Sequence, residues 1–313
     1  MSVLAVLLFL LCTASASLAQ TPAPASLRLA SAPDDDVTPI LYAQRAGLFR
    51  AAGLDVEVTA LANGAAVAAA VAGGSVDVGK SSTMSLISAH ARGLPLTIVA
   101  PSGFYESKAR SNGILVPKDS PIRTARDLND KVISVPALND FFTVATKAWL
   151  DKNGGSSASV HFIEAPATMV ATALDNGRIT AGTLANPLLT AALATGKYRS
   201  LGSIVDGLGE GFVYSAWFAT SDYVAKNRAV LERFLAVLRT AAIYANRHHA
   251  ETVDLLAKFS GADPATIVSM PRVTYATALS PGQIQPLVDA AAKYKAIPAR
   301  FDAQEMISPF ALR

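Results

Sequence analysis

The chain is 313 residues long, 51% hydrophobic and 16% charged, with 27 Lys and Arg against 24 Asp and Glu. That length supports one or two cores of ordinary size, since domains run to roughly 100–150 residues. The positive residues are scattered, with no block of like charges and no basic helix face, so binding to nucleic acid or a membrane surface is not expected.

Residues 3–12 form an unbroken apolar run too short to cross a bilayer, and Ser17-Leu18-Ala19 supplies the small residues of a signal-peptidase site. No Lys or Arg precedes the run, unlike most such leaders, yet a cleaved signal peptide over residues 1–19 and export remain the expectation. Leu11 stands where a lipidated cysteine needs a small neighbour, so Cys12 is not read as a lipid anchor. Cleavage after Ala19 leaves no cysteine, which excludes disulfides, thiolate nucleophiles and Cys-based metal sites.

Residues 20–26 read as a flexible leader and 27–32 as a strand. The loop Pro33-Asp34-Asp35-Asp36 leads to Thr38-Pro39, where Thr suits an N-cap and Pro the first helical position. The same device returns at Asn186-Pro187, Asp263-Pro264 and Ser280-Pro281. A helical patch ends at Gly47 and a turn at Gly53. A strand then alternates Leu54, Val56 and Val58 with polar residues, and a small-residue helix over 64–72 stops at Gly73-Gly74. A short strand over 75–78 ends at Gly79, Ser81-Ser82-Thr83 opens a helix to about Arg92, and 96–100 is a further strand. After a strand over 113–116 the alternation restarts, with strands over 131–135, 160–163 and 181–184 and helices over 141–152, 168–176 and 187–195. A strand over 212–220 then leads to a long helix with the stripe Leu231, Phe234, Leu235, Leu238, Ala242 and Ala245. Two α/β units with short connections predict helices packed on parallel, doubly wound sheets.

The order of "A…GLF…AGLDVEV", "G…VDVG" and a Ser/Thr pair resembles the first lobe of periplasmic solute-binding proteins of the nitrate, sulfonate and taurine transporter group, which also includes binders of thiamin-pyrimidine precursors. "TARDLNDKVISVPA", "EAPATMVATALDNGRITAG" and "ANPLLTAAL" are similar to that group's second lobe, so the resemblance covers nearly the whole mature chain. It implies a two-lobed type II periplasmic-binding-protein fold. One lobe would comprise 27–115 plus 216–313, including a helical C-terminal region packed on it, and the other 116–215, with hinges near Val116 and Trp217. It also implies a periplasmic receptor that hands a small molecule to the permease and ATPase subunits of an ABC importer.

Ligands of open α/β sheets sit outside the carboxyl ends of the strands. The turns placed there carry Asp34, Asp35, Thr38, Asn63, Ser81, Ser82, Thr83, Ser102, Tyr105, Asn139, Asp140, Phe141, Thr143 and Asn186, and Tyr214 and Trp217 lie at the hinge. Ser, Thr and Asn at helix N-termini offer hydrogen bonds to an anionic or accepting group, although N-capping alone accounts for any one of them. The three aspartates read either as a solvated helix start or as partners for a cationic or donating group. No Arg lies in these loops and Lys80 is the nearest cation. Phe104, Tyr105, Phe141, Phe142, Tyr214 and Trp217 offer flat apolar area, one of the Phe141-Phe142 pair being a core residue. The missing Arg removes the best bidentate partner for a carboxylate or sulfonate and weakens the case for one. These features therefore point to a small, partly apolar or heteroaromatic ligand with acceptor atoms rather than a bare inorganic anion, with a sulfonate or carboxylate kept as an alternative.

No catalytic constellation stands out. His90 and His161 are isolated, His248 and His249 are adjacent and point about 100° apart on a helix, and no metal, P-loop or nucleophile-elbow motif is present. The expectation is a monomeric receptor with no cofactor, no metal and no catalysis. The alternatives are an enzyme of the same fold, like the pyrimidine-precursor synthase, and a ligand-sensing partner of a membrane receptor. The synthase class depends on a cysteine-rich motif, which the mature chain lacks. N-terminal sequencing of protein recovered from its host should begin at or next to Gln20; an intact Met1 in the soluble fraction would contradict export.

Overall fold

The structure, a computed structural model, describes residues 23–107, 111–138, 140–186 and 188–312. The expected signal peptide, Asn139 and Pro187 lie outside the described residues. The chain begins with β1 (Ala25–Ser31), then α1 (Thr38–Arg45), α2 (Leu48–Ala51), β2 (Leu54–Ala60), α3 (Gly64–Ala72), β3 (Val78–Ser82), α4 (Thr83–Ala91) and β4 (Leu96–Pro101). It crosses over in β5 (Gly103–Glu106) and continues through β6 (Asn112–Pro117), β7 (Val132–Val135), α5 (Phe141–Lys152), β8 (His161–Glu164), α6 (Val170–Asp175), β9 (Ala181–Ala185), α7 (Leu188–Ala194) and β10 (Tyr198–Ser200). It returns by β11 (Gly211–Val213) into β12 (Ser215–Thr220). The remainder is α8 (Ser221–Lys226), α9 (Arg228–Ala245), α10 (Val253–Ser260), α11 (Pro264–Ser269), β13 (Thr274–Tyr275) and α12 (Gln285–Lys293).

Two five-stranded sheets result, ordered β2-β1-β3-β12-β4 and β10-β6-β9-β7-β8. Both are mixed rather than parallel throughout, because β12 runs antiparallel to β3 and β4, and β6 antiparallel to β9 and β10. The antiparallel member of each sheet is the strand that arrives from the other half of the chain. β6 lies wholly in the second sheet, so the first crossing comes before Asn112 and not at the expected boundary after 115. The strand expected over 212–220 breaks at Tyr214, and β11 pairs with β5 instead of continuing β12. The two crossing segments are therefore tied to each other, with β13 completing a three-stranded sheet.

Local sequence accounts for most of these elements. Asn63, Ser82, Asp140, Thr220 and Asp263 each accept a backbone N–H in the first turn of the helix they cap. Thr38 departs from the expected cap: residues 35–37 form a 3₁₀ turn first, so Thr38 is the first residue of α1 and its hydroxyl meets Asp35. β3 also runs past its expected end. Gly79 lets it do so, because a Cβ there would come within 2.5 Å of Val67 and 2.7 Å of Val71, so α3 packs directly on the strand backbone. The result puts Ser81 and Ser82 at the end of a buried strand.

The first sheet's core draws on the long helix as its stripe predicts. Leu231, Phe234, Val237, Leu238 and Ala241 of α9 are buried, while Leu235 is only partly so. Trp217 sits at the centre of this core with no exposed surface, its ring edge-on to Phe234 at 5.9 Å. Alternation along β12 turns it away from the cleft, so it packs rather than binds. Trp217→Ala should lower stability by about 3–5 kcal/mol, as other buried aromatic truncations do. Urea denaturation checks this, and a variant of wild-type stability would place the indole elsewhere.

Candidate functional site

A cavity of about 1140 Å³ opens between the two sheets, at the carboxyl ends of β1, β3, β7 and β9 and beside the crossing strands. It receives Asp34, Asp35, Asn63, Ser81, Ser82, Tyr105, Asp140, Phe141, Asn186 and Tyr214 from the residues the sequence singled out. Thr38, Thr83, Ser102, Thr143 and Trp217 do not line it. Thr83 is buried with its hydroxyl donating to the Val213 carbonyl at 2.7 Å, and that of Ser102 donates to the Asp36 carbonyl at 2.9 Å. The Thr143 hydroxyl bonds the Ala137 carbonyl at 2.7 Å. These hydroxyls fix loops behind the site. Asn139 lies outside the described residues.

The three aspartates take three different positions. The Asp36 side chain is 3% exposed and pairs with Lys80, itself 2% exposed, while also accepting a hydrogen bond from the Ser215 hydroxyl. Asp35 is held by Arg272, whose Nε lies 2.8 and 2.9 Å from its two oxygens, by the Tyr275 hydroxyl at 2.9 Å and by the Val273 amide at 2.9 Å. Asp34 is exposed and reaches Lys80 at 3.3 Å. Burial raises the Asp36 carboxyl above the ordinary carboxylate range against the pull of the Lys80 ammonium. Burial works against the Lys80 ammonium as well, but Asp36 and Asp34 outweigh it and hold its pKa above the ordinary lysine value. Lys80 is therefore a fixed ammonium locked into the floor.

Cations reach the cavity from places the sequence reading did not name. Arg272 enters from the segment after α11 and is consumed by Asp35. Arg92 lines the rim from the C-terminal end of α4, is exposed, and has no carboxylate within ion-pair distance among the described residues. The periodicity of α4 could have revealed it, since Ser85, Ser88, Ala89 and Arg92 share the helix face that continues from Ser82.

The donors are distributed along that same side. Asn63 caps α3 through the Ala66 amide at 2.9 Å, so the amides of Gly64 and Ala65 open the cavity side of the nine-residue helix α3. Ser81 lies beneath them, its hydroxyl buried without a hydrogen-bond partner. Gly64 makes this possible, because a Cβ there would fall 2.4 Å from that oxygen. Tyr214 adds a hydroxyl whose pKa stands well above the ordinary tyrosine value through burial and the charges of Asp36, Asp35 and Asp34, so it stays a donor. From the second sheet come Phe141, Phe142, Leu138 and Asn186, and the Asp140 carboxyl is raised by burial as it caps α5 through the Thr143 amide at 2.8 Å. Tyr105 lines the site, but its hydroxyl is committed to Asp206 at 2.8 Å and Ser203 at 2.7 Å. The α3–α4 side of the cavity thus offers hydroxyls and amides, and the other side sets Leu138, Phe141 and Phe142 beside Asn112, Asp140 and Asn186.

A family model described as NMT1/THI5 like matches residues 34–252. The putative aliphatic sulfonates-binding protein of Escherichia coli (strain K12) is 26% identical over 196 residues, or 63% of this chain, and the match spans 59% of that relative's length. Among solved structures, the periplasmic aliphatic sulphonate binding protein SsuA from Escherichia coli aligns with a TM-score of 0.75 at 21% identity, over 91% of this chain and 92% of that one. The alkanesulfonate-binding protein SsuA from Xanthomonas axonopodis pv. citri, bound to MOPS, gives 0.70 at 22% identity over 92% and 99%. The periplasmic nitrate-binding protein NrtA from Synechocystis PCC 6803 gives 0.69 at 14% identity over 90% and 84%. At such identities the likeness establishes the fold, which is the two-lobed type II periplasmic-binding-protein fold.

The buried pair beneath the cavity generates a stability prediction. Lys80→Met should cost about 3–5 kcal/mol, because it strands the Asp36 charge in the interior, and adding Asp36→Leu should recover much of that loss. Equal destabilisation by the single and double variants in chemical denaturation would show that the pair is not the source.

Proposed function

The chain belongs to the NMT1/THI5-like family, and we propose that it is an exported, non-catalytic receptor that captures a small organic molecule for an ATP-driven importer in the inner membrane. The observation that carries this reading is the two-sided cavity, with donors on the α3–α4 wall and aromatic and aliphatic side chains opposite. Such a site holds a ligand at both ends without offering it a reactive group. Its one lysine is pinned as an ammonium by Asp36, and no group of His, Cys, Asp and Glu among the described residues could hold a metal. The synthase alternative, which needs a reactive Lys and a cysteine-rich motif, finds neither in the mature chain.

The ligand of this proposal has an anionic or strongly accepting head and an apolar body. The head sits at the Gly64 and Ala65 amides and the Tyr214 hydroxyl, where a helix N-terminus favours negative charge. The body lies against Phe141, Phe142 and Leu138. Arg92, ten residues along α4 from Ser82 and so about 15 Å from the Gly64 end of the cavity, supplies a cation at the rim that draws an anionic ligand in, which moves organic sulfonates and carboxylates ahead of neutral heterocycles. A cavity of about 1140 Å³ is far larger than nitrate needs, and the apolar wall would contribute nothing to so small an ion. The name of the sulfonate-binding relative agrees with this choice.

In this reading the lobes divide at the paired crossings, at β5 and at Tyr214, and close about them when a ligand bridges both sides. Calorimetry with butanesulfonate should show binding that Arg92→Gln weakens by roughly 0.2–1 kcal/mol, the range for an exposed charge interaction, with the loss shrinking as salt is raised. Mass spectrometry should recover the compound unchanged. Binding of nitrate with none of butanesulfonate would overturn the ligand class, and chemical conversion of the bound compound would overturn the receptor.

A further inference from the structure

Helix α5 connects the cavity to a second contact between the lobes. Its first residues, Phe141 and Phe142, line the cavity, and its last turn carries Asp151. At about 1.5 Å per residue the two ends stand roughly 15 Å apart. The last turn is fixed to its own lobe, because Lys152 donates to the Asp206 carbonyl at 2.8 Å and Asp151 accepts from the Ser157 amide at 2.8 Å. Across from it, the Tyr294 hydroxyl donates to Asp151 Oδ2 at 3.0 Å.

Tyr294 belongs to the other lobe and is held firmly there. It ends α12, whose Leu287, Val288 and Ala291 are buried in the core shared with the first sheet. Lys295 follows in a left-handed conformation at φ 60°, and the Ala296 amide closes the helix on the Ala291 carbonyl at 2.8 Å. The crossing strands stand between this contact and the cavity. Phe104 and Tyr214 face the ligand side, while residues 281–283, which lead into α12, pack against β11. A rotation about the crossings that narrows the cavity must therefore pull Asp151 away from Tyr294.

We propose that the Asp151–Tyr294 contact is a latch behind the hinge that holds the lobes apart and so sets the affinity for ligand from outside the binding site. It rests on the two-lobed closure argued above. The hydrogen bond stabilises only the open arrangement, and a ligand must overcome it before closing the cavity. Breaking it shifts the resting population toward closure and tightens binding, although neither residue touches the ligand.

The chain from Gln20 onward has no cysteine of its own, so spin labels placed by Leu94→Cys and Met169→Cys report the separation of the lobes selectively. Both positions are exposed, at 42% and 50%, one on each lobe, and Met169 does not line the cavity. In ligand-free protein, electron–electron double resonance should show Tyr294→Phe and Tyr294→Ala raising the short-distance population about three- to tenfold, the range expected of one ordinary hydrogen bond at an exposed site. Affinity for butanesulfonate should rise by a similar factor. Unchanged distance distributions in both variants would overturn the latch, whatever their unfolding midpoints. If butanesulfonate shortens the distance while neither variant does, the latch fails and the receptor reading stands. If the variants shorten it and butanesulfonate does not, the latch stands and the ligand class is wrong.

Discussion

The buried pairing of two consecutive aspartates with two distant cations holds this architecture together. Asp36 meets Lys80 and Ser215, and Asp35 meets Arg272 and Tyr275, so one loop joins β1, the end of β3, the start of β12 and the segment after α11. Each charge is costly to bury alone, and an ion pair does not by itself guarantee net stability. What the arrangement provides is specificity. A packing that kept these groups buried but separated them would leave a carboxylate or a cation unpaired in the interior. Through Asp35, the segment after α11 is tied to the loop that follows β1.

That pairing also decides the electrostatics of the cavity. The floor carries Lys80 and Arg272, yet neither charge is available, since each is spent on an aspartate beneath the surface. In the proposed reading, attraction for an anion falls instead to peptide dipoles at the start of α3, to the protonated Tyr214 hydroxyl and to the guanidinium of Arg92 at the rim. Dipoles and hydroxyls bind an anion without presenting a second full charge, which limits the desolvation that a buried lysine–anion pair would require. The apolar wall opposite then contributes burial to any ligand with a hydrocarbon body.

Much of this was legible along the chain, because it depends on local chemistry. The alternation of periods, the glycine stops and the Asn63, Ser82 and Asp140 caps are short-range signals, and the structure places these caps at cavity-lining helix starts. The loops at the carboxyl ends of the strands follow from the parallel connections. The reading failed where a side chain's direction depends on strand pairing. Trp217 lies only three residues from Tyr214, but the break between β11 and β12 sends one ring into the cleft and the other into the core. Gly79 resembled a strand end, yet it marks close approach by α3.

By itself, the sequence determined the α/β class, the repeated unit, the helix starts at Asn63, Ser82, Asp140 and Asp263 and the absence of cysteine after residue 12, all of which are legible without knowing the packing. Tertiary structure alone decided which charges are free. Arg272 reaches Asp35 across 237 positions, and Arg92 turns into the cavity because the opposite face of α4 is buried. Long-range pairing depends on how sheets and helices pack, and no local pattern records it. Two of the three carboxylates in the loop that looked most acidic are therefore buried and paired in the fold, and the guanidinium that looked absent stands at the rim.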